Sequence, residues 1–143
     1  MGFSDKLPAL IVTAVVIGGL GIGMSKLSGP STSSTIVDVT VPQLSSNAKR
    51  GQTAFSEYCA VCHGDNASGS DKGPPLIHNI YNPGHHADGA FFLAAKRGVR
   101  SHHWPYGDMP PQPQVNERQM ANIVTFVREL QAANGILARP HQM

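Results

Sequence analysis

With 143 residues, 15.2 kDa and a formal charge of +2, the chain has the size of a single domain and too little charge to argue for nucleic acid. Aromatic residues make up only 6% and no long basic run is interleaved with them, so a nucleic-acid partner is not expected. The first quarter does not read as a soluble core, which leaves fewer than about a hundred residues to fold, a small core that a buried cofactor would enlarge.

Residues 7–24 carry no charge and are bracketed by Lys6 and Lys26, with Pro8 suited to a first helical turn. A helix of that length is ~27 Å long, close to the ~30 Å of bilayer hydrocarbon. Residues 1–27 are therefore expected to be an N-terminal membrane anchor or uncleaved signal segment. A cleaved signal peptide is the alternative, but the apolar run is longer than an ordinary h-region and no small-x-small site follows it cleanly. With Lys6 inside, everything after the span lies on the outer face. The pairs Ala14/Gly18, Gly19/Gly23 and Gly21/Ser25 have the spacing that lets membrane helices approach closely, which suits docking on a larger membrane complex.

Residues 28–47, rich in Ser, Thr, Val and Pro, read as a flexible linker that would hold the next domain ~25 Å from the membrane. Within it Ile36, Val37, Asp38, Val39, Thr40 and Val41 alternate, either as a short strand or as a segment lying along the domain. The domain proper is expected over 48–138, with 139–143 a loose tail.

Ser46 or Asn47 can cap a helix that starts at Ala48 and places Gly51, Phe55 and Cys59 on one stripe. That helix runs into Cys59-Ala60-Val61-Cys62-His63, which holds the only two cysteines of the chain. Cysteines three apart on one turn face the same way, so both sulfurs can form thioethers to one haem while the adjacent imidazole ligates its iron. A thioredoxin-like motif wants a βαβ setting, a zinc site wants a second ligand pair, and a plain disulfide leaves His63 without a role.

Residues 64–77 are loop, because Gly64, Asn66, Gly69, Gly73, Pro74 and Pro75 forbid a continuous helix, and such a loop can wrap a haem edge. Asp88 is expected to cap a second helix over 89–97, closed by Gly98. Lys96 and Arg97 in its last turn continue through Arg100, His102 and His103 into a basic region suited to an acidic docking partner. Asn116 and Gln119 form a capping box for a third helix, in which Met120, Ile123, Val124, Val127 and Leu130 make a core stripe up to the stop at Gly135.

An iron held by His63 alone has an open axial position. Met109, in the rigid stretch Gly107-Asp108-Met109-Pro110-Pro111, is the expected second ligand. His78, His85, His86, His102 and His103 are its rivals, and the pairs His85/His86 and His102/His103 can also be read as copper or zinc ligands.

These residues together resemble a class I c-type cytochrome of the membrane-anchored bacterial monohaem type, over residues 48–134. The resemblance implies an all-α cytochrome c fold, three main helices and loops wrapped around one covalently attached haem, plus an N-terminal transmembrane helix. It rests on Gly51, Phe55, the Cys59-x-x-Cys62-His63 spacing, Gly73-Pro74-x-Leu76 and the position of Met109. In the family the proline carbonyl orients the histidine ligand, which implies that role for Pro74. The first helix crosses the last at the glycine, as Gly51 and Phe55 against Ile123 and Phe126 suggest. Trp104 and Tyr106 are similar to residues that hydrogen-bond a haem propionate.

The implied function is electron transfer by one haem c bound through Cys59 and Cys62, with His63 and Met109 on the iron and no enzymatic turnover. The expected partners are the membrane and a membrane oxidase, reductase or dehydrogenase, reached from the periplasmic side of a bacterial inner membrane, with no small-molecule substrate. Two alternatives stand beside it: a haem enzyme or gas sensor with a labile sixth ligand, and a copper-handling cytochrome that uses the histidines. The histidine-rich piece from His78 to His103 is where the chain departs from the family pattern.

Overall fold

A computed structural model describes residues 35–139, all within one compact unit, Ser33–Met143. The anchor expected over 1–27 and the start of the linker lie outside the described residues, as do residues 140–143. Among the described residues four α-helices follow in order: α1 (Ser46–Tyr58), the single turn α2 (Ala60–His63), α3 (Asp88–Arg97) and α4 (Glu117–Ala133). Two 3-10 turns, Asp65–Ala67 and Asn79–Tyr81, punctuate the long loop between α2 and α3. Among the described residues there is no strand, only an isolated antiparallel bridge between Val99 and Met109, and no helix is long and apolar enough to cross a membrane.

The helix ends show which caps win. Ser45, not Ser46 or Asn47, caps α1, its side chain accepting the Ala48 N–H. Ala87 occupies the N-cap of α3 with no side-chain bond, and Asp88 is the first helical residue instead of the cap. Its carboxylate is drawn away by Arg128 on α4, with Nε to Oδ1 2.8 Å. The capping box of Asn116 and Gln119 is present in full.

The core lies where α1 crosses α4. A side-chain carbon on Gly51 would stand 1.9 Å from the Asn122 carbonyl oxygen, so only glycine lets the two backbones meet here. Phe55 and Phe126 pack beside the crossing with ring centroids 5.5 Å apart and planes at 57°. Met120, Ile123, Val124, Val127 and Leu130 are all buried, as the helical stripe requires.

The segment before α1 corrects one boundary. From Thr35 onward the chain is not a flexible linker but an extended strap on the domain. Val37 N–H donates to the Ser68 carbonyl at 2.9 Å. Thr40 and Asn134 exchange two bonds, at 2.9 and 2.8 Å. Val37 and Val39 pack against the core and Leu44 is buried, so the alternation of residues 36–41 expresses one-sided packing without a sheet. At the other end Ile136 is also buried, which carries the packed chain past Gly135.

Candidate functional site

At Cys59 the helix kinks and restarts: the Cys59 N–H still bonds Phe55, and its own carbonyl then accepts from both Cys62 and His63, at 3.1 and 2.9 Å. α2 is therefore one turn that sets Cys59, Cys62 and His63 over a common base. Gly64, at φ 71°, stops it. The two thiols are not bonded to each other. Burial, then the neighbouring Cys62, pushes the Cys59 thiol up to about 11. That is the reverse of the depressed thiolate of a redox-active C-x-x-C pair.

The returning loop holds the histidine. Gly73 passes so close that a side-chain carbon there would lie 2.8 Å from the Cys62 carbonyl oxygen, and Ser70 Oγ donates to that same oxygen. Leu76 N–H bonds the Ala67 carbonyl at 2.9 Å. The loop so fixed brings the Pro74 carbonyl to 2.9 Å from His63 Nδ1. A carbonyl can only accept, so Nδ1 carries the proton and the lone pair sits on Nε2. Burial holds the His63 pKa below its ordinary value, opposed in part by the Pro74 bond, and the ring is neutral, the form that ligates iron.

Cys59, His63, Pro74, Trp104 and Met109 line one cavity of about 400 Å³, walled mainly by apolar side chains that include Phe55, Leu76, Phe91 and Val115. Cys62 is half-buried and is not part of that wall; nor are His78 and His85, whereas His86, His102 and His103 are. Met109 is held by its bridge to Val99, with bonds of 2.9 and 3.0 Å in the two directions. Gly98 makes that bridge possible: its φ is 74°, and a side-chain carbon on it would lie 2.5 Å from the Met109 carbonyl oxygen.

Trp104 and Tyr106 part company. The Tyr106 hydroxyl accepts the Thr35 N–H at 2.9 Å and so ties the strap to the cavity loop. Trp104 Nε1 is buried with no partner at bonding geometry, although the Tyr81 hydroxyl lies near enough to feel it. A buried indole N–H on a cofactor-sized cavity is suited to an acceptor on the cofactor.

Sequence reasoning missed Arg128 and Gln131. Gln131 is 1% exposed, and its Nε2 donates to the carbonyls of Leu76 and Tyr81 at 2.9 and 3.0 Å. Arg128 donates to Asp88, to the Gln131 side chain and to the carbonyls of Tyr81 and His86, and stacks on Phe91 with its guanidinium carbon 4.9 Å from the ring centroid. The available signal was periodicity, since Gln131 continues the Val124, Val127 stripe and a polar residue there must meet buried partners.

The cavity, the neutral His63 and the unpaired Trp104 donor all fit a haem attached at the C-x-x-C-H turn. A family model, cytochrome c, matches residues 48–131. No curated protein and no solved structure matches the chain. Members of that family are generally electron carriers and not enzymes. The chain belongs to the cytochrome c family, a haem-based electron carrier whose single haem c is bound covalently through Cys59 and Cys62.

Proposed function

We propose that the protein is a membrane-tethered carrier that passes single electrons between redox partners of a respiratory or related chain, with His63 and Met109 as the two axial ligands. The placement of Met109 on the same cavity as His63 carries this reading. Bound haem supplies a one-electron iron couple.

The chain's own residues set how that couple behaves. Pro74 fixes the His63 tautomer and ring orientation, which strengthens Nε2 as a donor. The Met109 thioether, on the same cavity, would be the second iron ligand and would favour the reduced iron. Apolar walls keep water out and favour it too. Ligands anchored by the Pro74 bond and the Val99 bridge stay nearly fixed as the charge changes, so no proton or substrate need move.

The uncharged run at 7–24 supports a retained N-terminal span, with the haem domain, including the strap from residue 35, on the periplasmic side of a bacterial inner membrane. A tether keeps the carrier at high effective concentration near partners in the same membrane, an oxidase, reductase or dehydrogenase, as a free neighbour or as a subunit of one complex.

Redox titration of washed membranes from cells that mature c-type haem tests the reading. The expected result is one reversible one-electron wave that stays with the membrane pellet after salt and alkaline washing. Recovery of the haem protein in the soluble fraction would remove the tether, and turnover of a substrate at the iron would remove the carrier role.

A further inference from the structure

Two separate turns bring three imidazoles to one point beside the haem cavity. His85 and His86 stand at the end of a turn whose two N–H groups both bond the Asn82 carbonyl, at 3.0 and 2.9 Å. His103 comes from the loop before Met109, which is closed by Ser101 N–H on the Asp108 carboxylate at 2.8 Å and Ser101 Oγ on the Trp104 carbonyl. One ring nitrogen from each of the three lies within 4.8 Å of the others. The ring centroids are 4.6 Å apart for His85 and His86, and 5.5 Å from each of these to His103.

Those spacings are close to what one small cation requires. Imidazole nitrogens bound at ~2.0–2.1 Å in a tetrahedral shell lie about 3.3–3.4 Å apart and put their ring centroids roughly 5 Å apart. The rings already have the second spacing, and small side-chain rotations supply the first. His86 is also oriented: its Nδ1 lies 2.7 Å from the Ile80 carbonyl, so the proton is on Nδ1 and Nε2 has the lone pair. A histidine whose other nitrogen is held by a carbonyl is the usual form of a metal ligand. Arg128 fixes the same residue from behind through its bond to the His86 carbonyl.

We propose that His85, His86 and His103 form a second metal centre, separate from the haem iron, which takes one Zn²⁺ or Cu²⁺ ion. Three nitrogen donors without a thiolate or carboxylate select an imidazole-preferring divalent ion over Mg²⁺ or Ca²⁺, and three protein ligands leave one coordination position for water or a small anion. His102 is not one of the three: it falls outside the set whose ring nitrogens lie within 4.8 Å of one another, and its ring is 6.5 Å from that of His86. Because His86 and His103 also line the haem cavity, the bound ion sits next to the haem. The proposal rests on the assignment of Met109 as the second iron ligand, which leaves His86 and His103 available.

Titrating the haem-loaded full chain with Zn²⁺ by calorimetry, and with Cu²⁺ by electron paramagnetic resonance, tests it. The expected result is one equivalent of either ion, Cu²⁺ tighter than Zn²⁺, with a copper signal split by several nitrogens. His85 is exposed and does not line the haem cavity, so His85→Ala should leave the haem spectrum unchanged and weaken binding at least about hundredfold. His78→Ala and His102→Ala should stay within about threefold of wild type. Equal binding by wild type and His85→Ala, an equal loss in His102→Ala, or more than one equivalent of weak binding would overturn the assignment.

Discussion

Gly98 governs where the Met109 sulfur sits, through backbone alone. Its left-handed φ and its contact with the Met109 carbonyl leave no room for a side chain. Gly98→Ala should therefore cost about 1–2 kcal/mol in strain and shift the bridge to Val99. The measurable outcome is a weakened far-red sulfur-to-iron absorption in the ferric protein, with His63 ligation kept. Arg128 offers a second test at this scale. Its Asp88 partner is 65% exposed, so Asp88→Ala should cost no more than about 1 kcal/mol. Arg128→Ala strands the His86 carbonyl, removes one of the two donors on the Tyr81 carbonyl and loses the stacking on Phe91, and should cost about 2–3 kcal/mol by denaturant unfolding. Equal losses would mean that the ion pair, and not the carbonyl bonds, is what Arg128 contributes. The His63, Pro74 pair was reached through the family resemblance, since the motif marks His63 but a proline-rich loop alone does not say which carbonyl turns to the imidazole. Arg128 was not, because a charged side chain on a helix reads as solvated until the loops it serves are placed.

At the scale of elements, Gly51→Ala tests the α1/α4 crossing. The added carbon would meet the Asn122 backbone at 1.9 Å, and no rotamer relieves a backbone clash. Overpacking of this kind should cost about 2–3 kcal/mol or more, seen as a fall in thermal midpoint. An unchanged midpoint would mean that the helices part easily and that the crossing is not the spine of the fold. The helices themselves were readable from periodicity, since α4 buries every residue of its stripe. Their starts were less so, for two physical reasons. Ser45, Ser46 and Asn47 are all competent caps, and sequence cannot rank neighbours that differ by one residue. Asp88 was drawn from capping by a cation forty residues along the chain. The strap before α1 was ambiguous because its hydrogen-bond partners, Ser68, Tyr106, Glu129 and Asn134 among them, are remote in sequence.

For the whole molecule, Lys96, Arg97 and Arg100, on and just after α3, are exposed, and Arg97 lines the haem cavity. Docking by charge on an acidic partner should make electron-transfer rates fall steeply as salt rises from about 10 to 200 mM, and charge reversal at Arg100 should flatten that dependence. Rates indifferent to salt would place the docking face elsewhere. The central claim is that His63 and Met109 close both axial positions of one attached haem, and carbon monoxide reads this directly. The reduced wild-type protein should ignore carbon monoxide, whereas reduced Met109→Ala should bind it with its haem still attached. Binding of carbon monoxide by untreated wild type, or a Met109→Ala spectrum identical to wild type, would contradict the account.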